Sequence, residues 1–408
     1  MKESKVLVLG GDGFIGWPLS LYLSRRNYRV AIADNLSRRK IGEELQADSL
    51  TPIAPIAERL NAWQEVADRE IDFHNIDVAA DYESLRDLIA TFRPDAVIHL
   101  AEQKAAPYSM KTPKTKRYTI GNNINATHNV LCALTEVSPE SHLVHIGSMG
   151  VYGYSGIKLE LPEGYIRARM TDSGGTSLER DILFPPDPGS VYHASKCMDQ
   201  ILFQYYAAND SLRITDLHQG VVWGTATEET ELDERLINRF DYDGDYGTVL
   251  NRFLSQGAIG YPLTVYGTGG QTRAFIHIKD SMRCLELALN HPPALGDRVK
   301  IFNQMTEVHT IKELADLISR MMNIEVDCLP NPRNEAKNNS LRVENKLMRK
   351  LGLEPTLLNE GLLREIAVVA DKYRDRIREE RIPCRSAWNR EIESSLRESI
   401  QQRDFTGR

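Results

Sequence analysis

The stretch KVLVLGGDGFIG, residues 5–16, decides the fold class. Its first half is a short apolar run typical of a buried strand. Its second half contains the spacings Gly11-x-Gly13-x-x-Gly16 and Gly10-x-x-Gly13-x-x-Gly16. Glycines at such spacings let a strand turn sharply into a helix and let the backbone approach a pyrophosphate. The helix N-terminus would then present free N–H groups to the phosphates, so the stretch predicts a dinucleotide site.

The same alternation of apolar runs and helical patterns continues through the first half of the chain. Further strands are predicted at 28–34, 71–77, 95–102 and 142–148, and the stretch 213–224 predicts a sixth strand that runs into a loop. Short strands separated by helices indicate a parallel sheet covered on both faces. We therefore predict the α/β class: a Rossmann doubly wound parallel sheet with a smaller mixed C-terminal substrate-binding domain.

The composition changes after residue 224. The acidic, Gly- and Tyr-rich segment 225–250 predicts loops and short helices over the sheet, and helices are predicted at 311–324 and 341–355. The predicted domains are a dinucleotide-binding domain at 1–224 completed by parts of 270–305, an interleaved substrate-binding domain at 225–365 and a charged helical tail at 366–408.

Bulk composition excludes several classes of protein. The chain has 408 residues, 41% hydrophobic and 26% charged, which is typical of a globular protein of two or three domains. A net charge of −7 disfavours nucleic acid and anionic membranes as partners, and no apolar run approaches the ~18 residues of a membrane span. The five scattered cysteines contain no C-x-x-C, so we expect no disulfide framework, no metal and a cytoplasmic location. We also expect no signal peptide.

Asp34 favours NAD over NADP. It ends the second predicted strand, 18 residues after Gly16, where a carboxylate binds the ribose hydroxyls and repels a 2′-phosphate. Arg38 and Arg39 lie close enough to weaken that preference. They are interpreted either as part of a solvated loop or as phosphate or adenine contacts.

The pattern Tyr192-x-x-x-Lys196 predicts a catalytic base. The spacing puts both side chains on one helix face, where the Lys cation lowers the phenol pKa from its usual value near ~10. Ser148 ends a predicted strand upstream, and its hydroxyl is the third member of the predicted catalytic set. The alternative is a surface Tyr–Lys pair. The same spacing at Tyr154–Lys158 is assigned to a loop.

Together, these motifs resemble the extended short-chain dehydrogenase/reductases that modify nucleotide sugars. The stretch LTVYGTGGQTRAFIHIKD (263–280) is similar to the family's diphosphate segment, with Arg273 as the phosphate contact. Longer stretches resemble the UDP-sulfoquinovose synthases in particular, over residues 5 to about 355: AEQKAAPYSM (101–110), RFDYDGDYGTVLNRF (239–253), IFNQMTE (301–307) and NPRNEA (331–336).

This resemblance implies formation of UDP-sulfoquinovose from UDP-glucose and sulfite with a tightly held NAD. Tyr192 would remove the C4 hydroxyl proton while hydride passes to NAD, with Lys196 as its partner and Ser148 hydrogen-bonded to O4. The 4-keto group would acidify C5–H, water would leave across C5–C6, sulfite would add at C6, and hydride would return. His193 would be a proton shuttle at C5/C6, with simple packing against the sheet as an equal alternative.

The resemblance also assigns the remaining site residues, together with a homodimeric assembly. The implied cofactor contacts are Gly10, Gly13, Phe14, Ile15, Gly16, Asp34, Asn35, Arg38, Arg39, Asp77, Val78, Leu100, Ala101, Glu102, Asn122, Tyr192, Lys196, Gln219 and Val222. The implied substrate contacts are Gln103, Lys104, Ser148, Met149, Gly150, Gln219, Thr248, Asn251, Arg252, Val265, Gln271, Arg273, Arg333 and Glu335.

Three positions depart from the synthase pattern and leave alternatives open. Ser148 stands for the usual Thr, Val151 for a Glu, and Lys104 for an Arg. Met149 and Gly150 stand where ordinary dehydratases of the superfamily have an Asp and a Glu, which disfavours 4,6-dehydration. A nucleotide-sugar 4-epimerase, a 5,6-dehydratase and a catalytically silent NAD-binding scaffold remain alternatives.

Overall fold

The computed structural model describes residues 4–153, 159–333, 335–336, 339, 341–386 and 388. Its strands are β1 Lys5–Leu9, β2 Arg29–Ala33, β3 Asp72–His74, β4 Ala96–His99, β5 His142–Ser148, β6 Glu160–Leu161, β7 Tyr165–Thr171, β8 Ser177–Leu183, β9 Arg213–Gln219, β10 Val221–Trp223, β11 Leu263–Tyr266, β12 Thr272–His277, β13 Lys300–Gln304, β14 Glu307–Thr310, β15 Val326–Leu329 and β16 Arg342–Val343. Its helices are α1 Gly16–Arg25, α2 Ser37–Leu45, α3 Ile56–Ala67, α4 Tyr82–Phe92, α5 Ala106–Met110, α6 Pro113–Val137, α7 Val191–Asn209, α8 Val249–Ala258, α9 Ile278–Asn290, α10 Ile311–Met322, α11 Lys346–Lys350 and α12 Glu360–Lys372.

A seven-stranded parallel sheet in the order β13-β9-β5-β4-β1-β2-β3 forms the centre of the molecule. The predicted α/β class with a doubly wound parallel sheet is confirmed. The strand order changes direction between β1 and β4. In such sheets the ligand crevice lies outside the carboxyl ends of the strands at that point.

Both faces of the sheet are covered, which explains the unbroken apolar runs in the sequence. Val6 and Val8 of β1 pack in one core cluster with residues of α1 and α9. Leu7 and Leu9 pack in a second cluster with residues of α4, α6 and α7. Because successive side chains of a strand point to opposite faces of the sheet, β1 contributes to two separate cores.

The stretch 213–224, predicted as a strand that runs into a loop, is divided between two sheets. Residues of β9 lie in the main sheet, and β10 pairs with β12 in a three-stranded sheet ordered β10-β12-β14. Gly220 separates them, and a Cβ there would lie 2.8 Å from the Ala274 carbonyl oxygen. The chain changes sheets at this close approach. The predicted strand is present as β9, whereas part of the predicted loop forms strand β10.

A third core lies beside the main sheet and supports the far wall of the crevice. Trp223, Phe253 and Phe275 are buried there with apolar residues of α8, α10 and α12. The helix predicted at 341–355 is mostly absent, because β16 pairs with β6 and α11 has only five residues. The exposed antiparallel hairpin of β7 and β8 had no predicted counterpart.

The predicted charged helical tail, 366–408, is described only in part. Within the predicted tail, the described part contains the end of α12 and 3₁₀ turns at Arg374–Arg376 and Glu379–Arg381. Residue 387, residues 389–408 and the Tyr154–Lys158 spacing lie outside the described residues. Among the described helices, none combines the length and apolar character needed to cross a membrane.

Candidate active site

A deep cleft lies at the carboxyl ends of β1, β4, β5 and β9 and collects nearly all of the predicted site residues. All four predicted catalytic residues line it. Each predicted cofactor residue except Arg39 lines it, as does each predicted substrate residue except Asn251 and Val265. The cleft therefore joins motifs that are far apart in the sequence.

The three exceptions lie behind the cleft wall. The Arg39 guanidinium donates two hydrogen bonds to the Asp12 carboxylate, each 2.7 Å long. Asn251 is buried with its Nδ2 3.4 Å from the Asp241 carbonyl oxygen, and Val265 is buried in the third core. Their predicted ligand contacts are corrected to supporting contacts.

The glycine turn after β1 fits a dinucleotide. A Cβ on Gly16 would lie 2.2 Å from the Gly10 carbonyl oxygen, and one on Gly10 would lie 2.6 Å from the Leu100 carbonyl carbon. Backbone segments from β1, α1 and the end of β4 thus meet without room for side chains. Ile15 at the α1 N-cap offers no side-chain cap, so the Gly16 N–H at the start of the helix can face a phosphate, whereas the Trp17 N–H donates to the Gly13 carbonyl.

Asp34 lies just after β2, as predicted. It accepts hydrogen bonds from the backbone N–H groups of Asp12 (2.9 Å) and Leu36 (2.7 Å). Burial, followed by the nearby Asp12, raises the pKa of Asp34 to about 6. At neutral pH it is therefore ionised and able to accept hydrogen bonds from ribose hydroxyls.

Asp12 was missed at the sequence level. Its carboxylate is buried and is held by Arg39 and by Arg59 Nη1, the latter at 2.7 Å. Within the sequence, Asp12 was only the variable residue between two glycines of the turn. Arg59 lies on α3, 47 positions away, so no local pattern connects the two.

The catalytic pair lies at the start of α7. Ser190 is the N-cap, and its Oγ accepts from the His193 backbone N–H at 3.2 Å. The Tyr192 backbone N–H donates to Ser109 Oγ at 3.1 Å. Tyr192 and Lys196 both line the cleft on this first part of the helix, as the i, i+4 spacing predicts.

Ser148 is the last residue of β5 and lies opposite Gln219 of β9. Its Oγ accepts from the Gly150 N–H at 3.1 Å. A Cβ on Gly150 would lie only 2.1 Å from Cδ2 of His193. The imidazole therefore packs directly on the Gly150 backbone, and only glycine leaves it that space.

Val151 faces away from the cleft. It is 3% exposed and packs with Tyr152, Leu161, Phe184 and Cys197 in a small apolar cluster. It is not among the residues that line the cleft, whereas Met149 and Gly150 are. A valine at this position therefore changes packing under the site rather than a group inside it.

His193 lies in the cleft as a neutral imidazole. Burial, and then the cations Arg333 and Arg273, lower the pKa of His193 to about 3. Its Nδ1 lies 3.0 Å from Ser190 Oγ. A neutral imidazole can accept a proton, and an anion bound by the two arginines would raise its pKa.

Basic residues also occupy the substrate end of the cleft. Arg273 Nη1 donates to the Thr272 carbonyl at 2.9 Å, and its Nη2 pairs with Glu335. Arg252 lies with its guanidinium 4.8 Å from the centre of the Tyr266 ring. These fork-shaped donors suit a diphosphate.

A second group of cations, here called the cationic wall, surrounds one buried carboxylate. Arg38, Lys104 and Arg239 lie 3.0, 3.1 and 3.3 Å from the carboxylate oxygens of Asp241. All three cations line the cleft. Despite burial, Arg38, Lys104 and Arg239 hold the pKa of Asp241 well below its usual range. Three positive charges thus surround the Asp241 carboxylate, and the buried Asp243 is a second negative charge that acts on Arg38.

Beneath Tyr192 lies a buried network, here called the ionic floor: Glu102, His145, Lys196 and Asp216. Lys196 Nζ lies 2.5 Å from Glu102 Oε2, and His145 lies 2.9 Å from Glu102 and 2.8 Å from Asp216. Glu102, His145 and Asp199 are close enough to resemble a metal site, but the Lys196 ammonium already pairs with that carboxylate.

Comparison with known proteins agrees with this geometry. The model of the NAD dependent epimerase/dehydratase family matches residues 6–303. The chloroplastic UDP-sulfoquinovose synthase of Spinacia oleracea is 42% identical over 393 residues, 95% of this chain and 80% of that protein. The UDP-sulfoquinovose synthase of Sulfolobus acidocaldarius is 37% identical over 357 residues, 86% of this chain and 88% of that protein.

Solved structures share the fold at lower identity. The UDP-glucose 4-epimerase of Thermotoga maritima with UDP-glucose has a TM-score of 0.65 at 21% identity, covering 90% of this chain and 99% of that chain. A dTDP-glucose 4,6-dehydratase of Streptomyces venezuelae with NAD has a TM-score of 0.66 at 18% identity, covering 91% and 98%. From the family match and the two relatives, the chain belongs to the NAD dependent epimerase/dehydratase family and is an NAD-dependent enzyme that modifies nucleotide sugars.

Proposed function

We propose that the enzyme forms UDP-sulfoquinovose from UDP-glucose and sulfite. The observation that carries the proposal is the contact between His193 and Gly150 beside Tyr192. It puts an imidazole against Gly150, whose N–H donates to the Ser148 hydroxyl, in place of the acidic pair of ordinary dehydratases. Similarity to two UDP-sulfoquinovose synthases over most of the chain supports the same activity.

The first task of the site is to oxidise C4 of the glucose. Tyr192 accepts the proton of the C4 hydroxyl, Ser148 holds O4 by a hydrogen bond, and Lys196 stabilises the phenolate. The glycine turn and Asp34 would hold NAD, which would supply the oxidation at C4 and its reversal within one turnover.

The second task is to exchange the C6 hydroxyl for sulfite. The C4 ketone acidifies C5–H, and neutral His193 takes that proton and passes it to the C6 hydroxyl, which departs as water and leaves a C5–C6 double bond. The sulfur of hydrogensulfite then forms a bond to C6, its proton passes to His193, and His193 delivers that proton to C5. Binding of the diphosphate at Arg273 and Arg333 raises the His193 pKa, so substrate binding itself prepares the shuttle.

The cationic wall supports the use of an anionic second substrate. Its surplus of positive charge attracts anions to a buried surface. Lys104 is its most exposed cation, with 40% of its side chain accessible. We assign Lys104 to sulfite attraction, where a lysine supplies charge without the two-pronged geometry of arginine.

The decisive experiment incubates the NAD-bound enzyme with UDP-glucose, with and without sulfite, in deuterated water. A sulfonated product that requires sulfite supports the synthase. A C4 epimer without deuterium at C5 would show a 4-epimerase instead. Deuterium at C5 without a sulfonate would show a 5,6-dehydratase, and binding of NAD with no turnover of any nucleotide sugar would support the scaffold alternative.

We propose a homodimer formed through α7. Met198, Ile201 and Tyr205 follow each other at helical spacing and are 44%, 63% and 58% exposed, which is unusual for large apolar side chains on one face. An Ile201→Asp substitution should shift the mass in multi-angle light scattering from two chains to one. A monomeric wild-type protein would contradict the proposal.

We also propose a reducing, cytoplasmic location. The five cysteines are all free thiols, and three of them are buried. The relative from Spinacia oleracea is a chloroplast protein, so fractionation of cells expressing the native gene is the direct test. Recovery in a plastid fraction would overturn the cytoplasmic assignment.

A further inference from the structure

Glu102 has a buried carboxylate directed at the catalytic lysine. Its side chain is 4% exposed, and Oε2 lies 2.5 Å from Lys196 Nζ. The same ammonium donates to the Ile146 carbonyl at 2.7 Å and lies 3.0 Å from His145 Nε2. The protein therefore supplies two oxygen acceptors to the Lys196 ammonium, Glu102 Oε2 and the Ile146 carbonyl, without help from a ligand.

We propose that Glu102 is a positioning residue that fixes the Lys196 ammonium beside Tyr192 and keeps it charged. The inference rests on the proposed role of Tyr192 as the base, and it adds a role for Glu102 that differs from the cofactor contact expected from the sequence. Glu102 acts through Lys196, and Lys196 acts on the phenol.

Burial is the reason why Lys196 needs such a partner. Its side chain is 4% exposed, and burial alone can lower the pKa of a lysine by up to 3–5 units. A neutral amine could not stabilise a phenolate. Burial opposes the charge, yet the Glu102 carboxylate raises the pKa of Lys196 above its usual value.

No other group described around Lys196 supplies the missing negative charge at neutral pH. Burial opposes it, but hydrogen bonds with Asp216 and Glu102 raise the pKa of His145 to about 9, so His145 is a cation paired with Asp216. Burial and Glu102 raise the pKa of Asp199, which favours its neutral form.

Two further titratable groups, His99 and Tyr192, interact with Lys196. Burial lowers the pKa of His99 to about 3, so this β4 residue is neutral. Tyr192, on the same helix as Lys196, is the group that the ammonium is meant to influence. Glu102 is therefore the carboxylate that balances Lys196.

The test measures ionisation of Tyr192 in the NAD-bound protein without any substrate. Tyrosinate absorbance is titrated for each protein and for its Tyr192→Phe counterpart, and the difference reports Tyr192. In Glu102→Gln, Lys196 loses its charge, so the Tyr192 midpoint should rise by at least about 1 pH unit. An unchanged midpoint, or a lower one, would overturn the inference, since Lys196 would then stay charged without Glu102.

Asp216→Asn is the control within the ionic floor. It also removes a buried carboxylate, but it leaves His145 neutral and so removes a cation that opposes Lys196. The Tyr192 midpoint should therefore not rise. A rise equal to that of Glu102→Gln would indicate general disruption and would overturn the inference. Glu229→Gln, a buried residue 3.5 Å from Arg26 and remote from the cleft, should match the wild type.

Two further results keep the inference open to refutation. If Glu102→Gln does not fold, Glu102→Asp, which keeps the charge, must retain the wild-type midpoint while Asp216→Asn does not raise it. If Tyr192 of the wild type titrates only near its usual pKa of ~10, the proposed base fails and the inference fails with it. A wild-type midpoint well below that value with no effect of Glu102→Gln removes the Glu102 inference alone.

Discussion

The ionic floor and the cationic wall are both groups of charges around buried carboxylates, but they are balanced differently. In the floor, Lys196 and His145 face Glu102 and Asp216, two cations against two anions. In the wall, three cations surround Asp241. Buried charges are costly unless they are paired. The balanced group is therefore complete without ligands and orients the catalytic pair, whereas the unbalanced group is completed by the anions that the enzyme binds.

The largest expected effect comes from removing the Tyr192 hydroxyl, the group on which the ionic floor acts, while the cationic wall stays intact. Tyr192→Phe deletes the hydroxyl that accepts the C4 proton, so turnover should fall by about 10³-fold or more. NAD should stay bound, which is measured by its release on denaturation. Tyr28→Phe is the control, because the Tyr28 hydroxyl lies outside the cleft, 3.2 Å from Asn290 Oδ1, and this variant should keep full activity. Near-normal turnover by Tyr192→Phe would remove the catalytic assignment.

Gly150→Ala tests the packing of the His193 ring against the Gly150 backbone. The new methyl group would lie 2.1 Å from the His193 ring, so the imidazole must move. Misplacement of a reacting group by about 1 Å can cost 10²-fold in rate, and we expect that loss in kcat. Gly121→Ala is the matched control, because nothing lies within 4 Å of its Cβ position. An active Gly150→Ala variant would show that His193 is only a packing residue.

Lys104→Met reduces the surplus of the wall while keeping the length of the side chain. The KM for sulfite should rise about tenfold, which corresponds to about 1.4 kcal/mol, while the KM for UDP-glucose changes little. Lys300→Met, in the edge strand β13 and outside the cleft, should leave both values unchanged. Equal effects on both substrates would mean that Lys104 does not discriminate sulfite.

The smallest expected effect is a pH dependence of the wall. Burial, and then Asp241 and Asp245 against the opposing Arg38, raise the pKa of Asp243 to about 6. Asp243 loses its negative charge as the pH falls through this value, so the wall becomes more positive. Inhibition by sulfate, competitive with sulfite, should strengthen about threefold, or about 0.7 kcal/mol, between pH 7 and 5. Asp243→Asn should abolish this dependence, and its persistence would place the titrating group elsewhere.

The local parts of the fold were predictable from the sequence. The β1 turn, α1 and the start of α7 depend on residues within a few positions of each other, so spacing alone identified them. Division of 213–224 between two sheets was not predictable, because it depends on the approach of Gly220 to Ala274, a residue distant in the sequence.

The ionic floor was also beyond local reasoning. Its members come from three strands or strand ends and one helix, and His145 lies 43 positions from Glu102 and 71 from Asp216. Arg39 shows a related limit. The sequence predicted that it lies near the cofactor, but it could not predict that the guanidinium points to Asp12. Burial of His145 within an apolar strand was the available signal.

The 3₁₀ turn Met149–Tyr152 crosses from the cleft into an apolar cluster, and the two parts of the turn tolerate different substitutions. Met149 and Gly150 line the cleft, and the next two residues enter an apolar cluster. Within four consecutive positions, the chain therefore passes from a segment constrained by chemistry to one constrained by volume. In directed evolution of this enzyme, position 151 is open to exchange among apolar side chains of similar size, whereas position 150 admits only glycine.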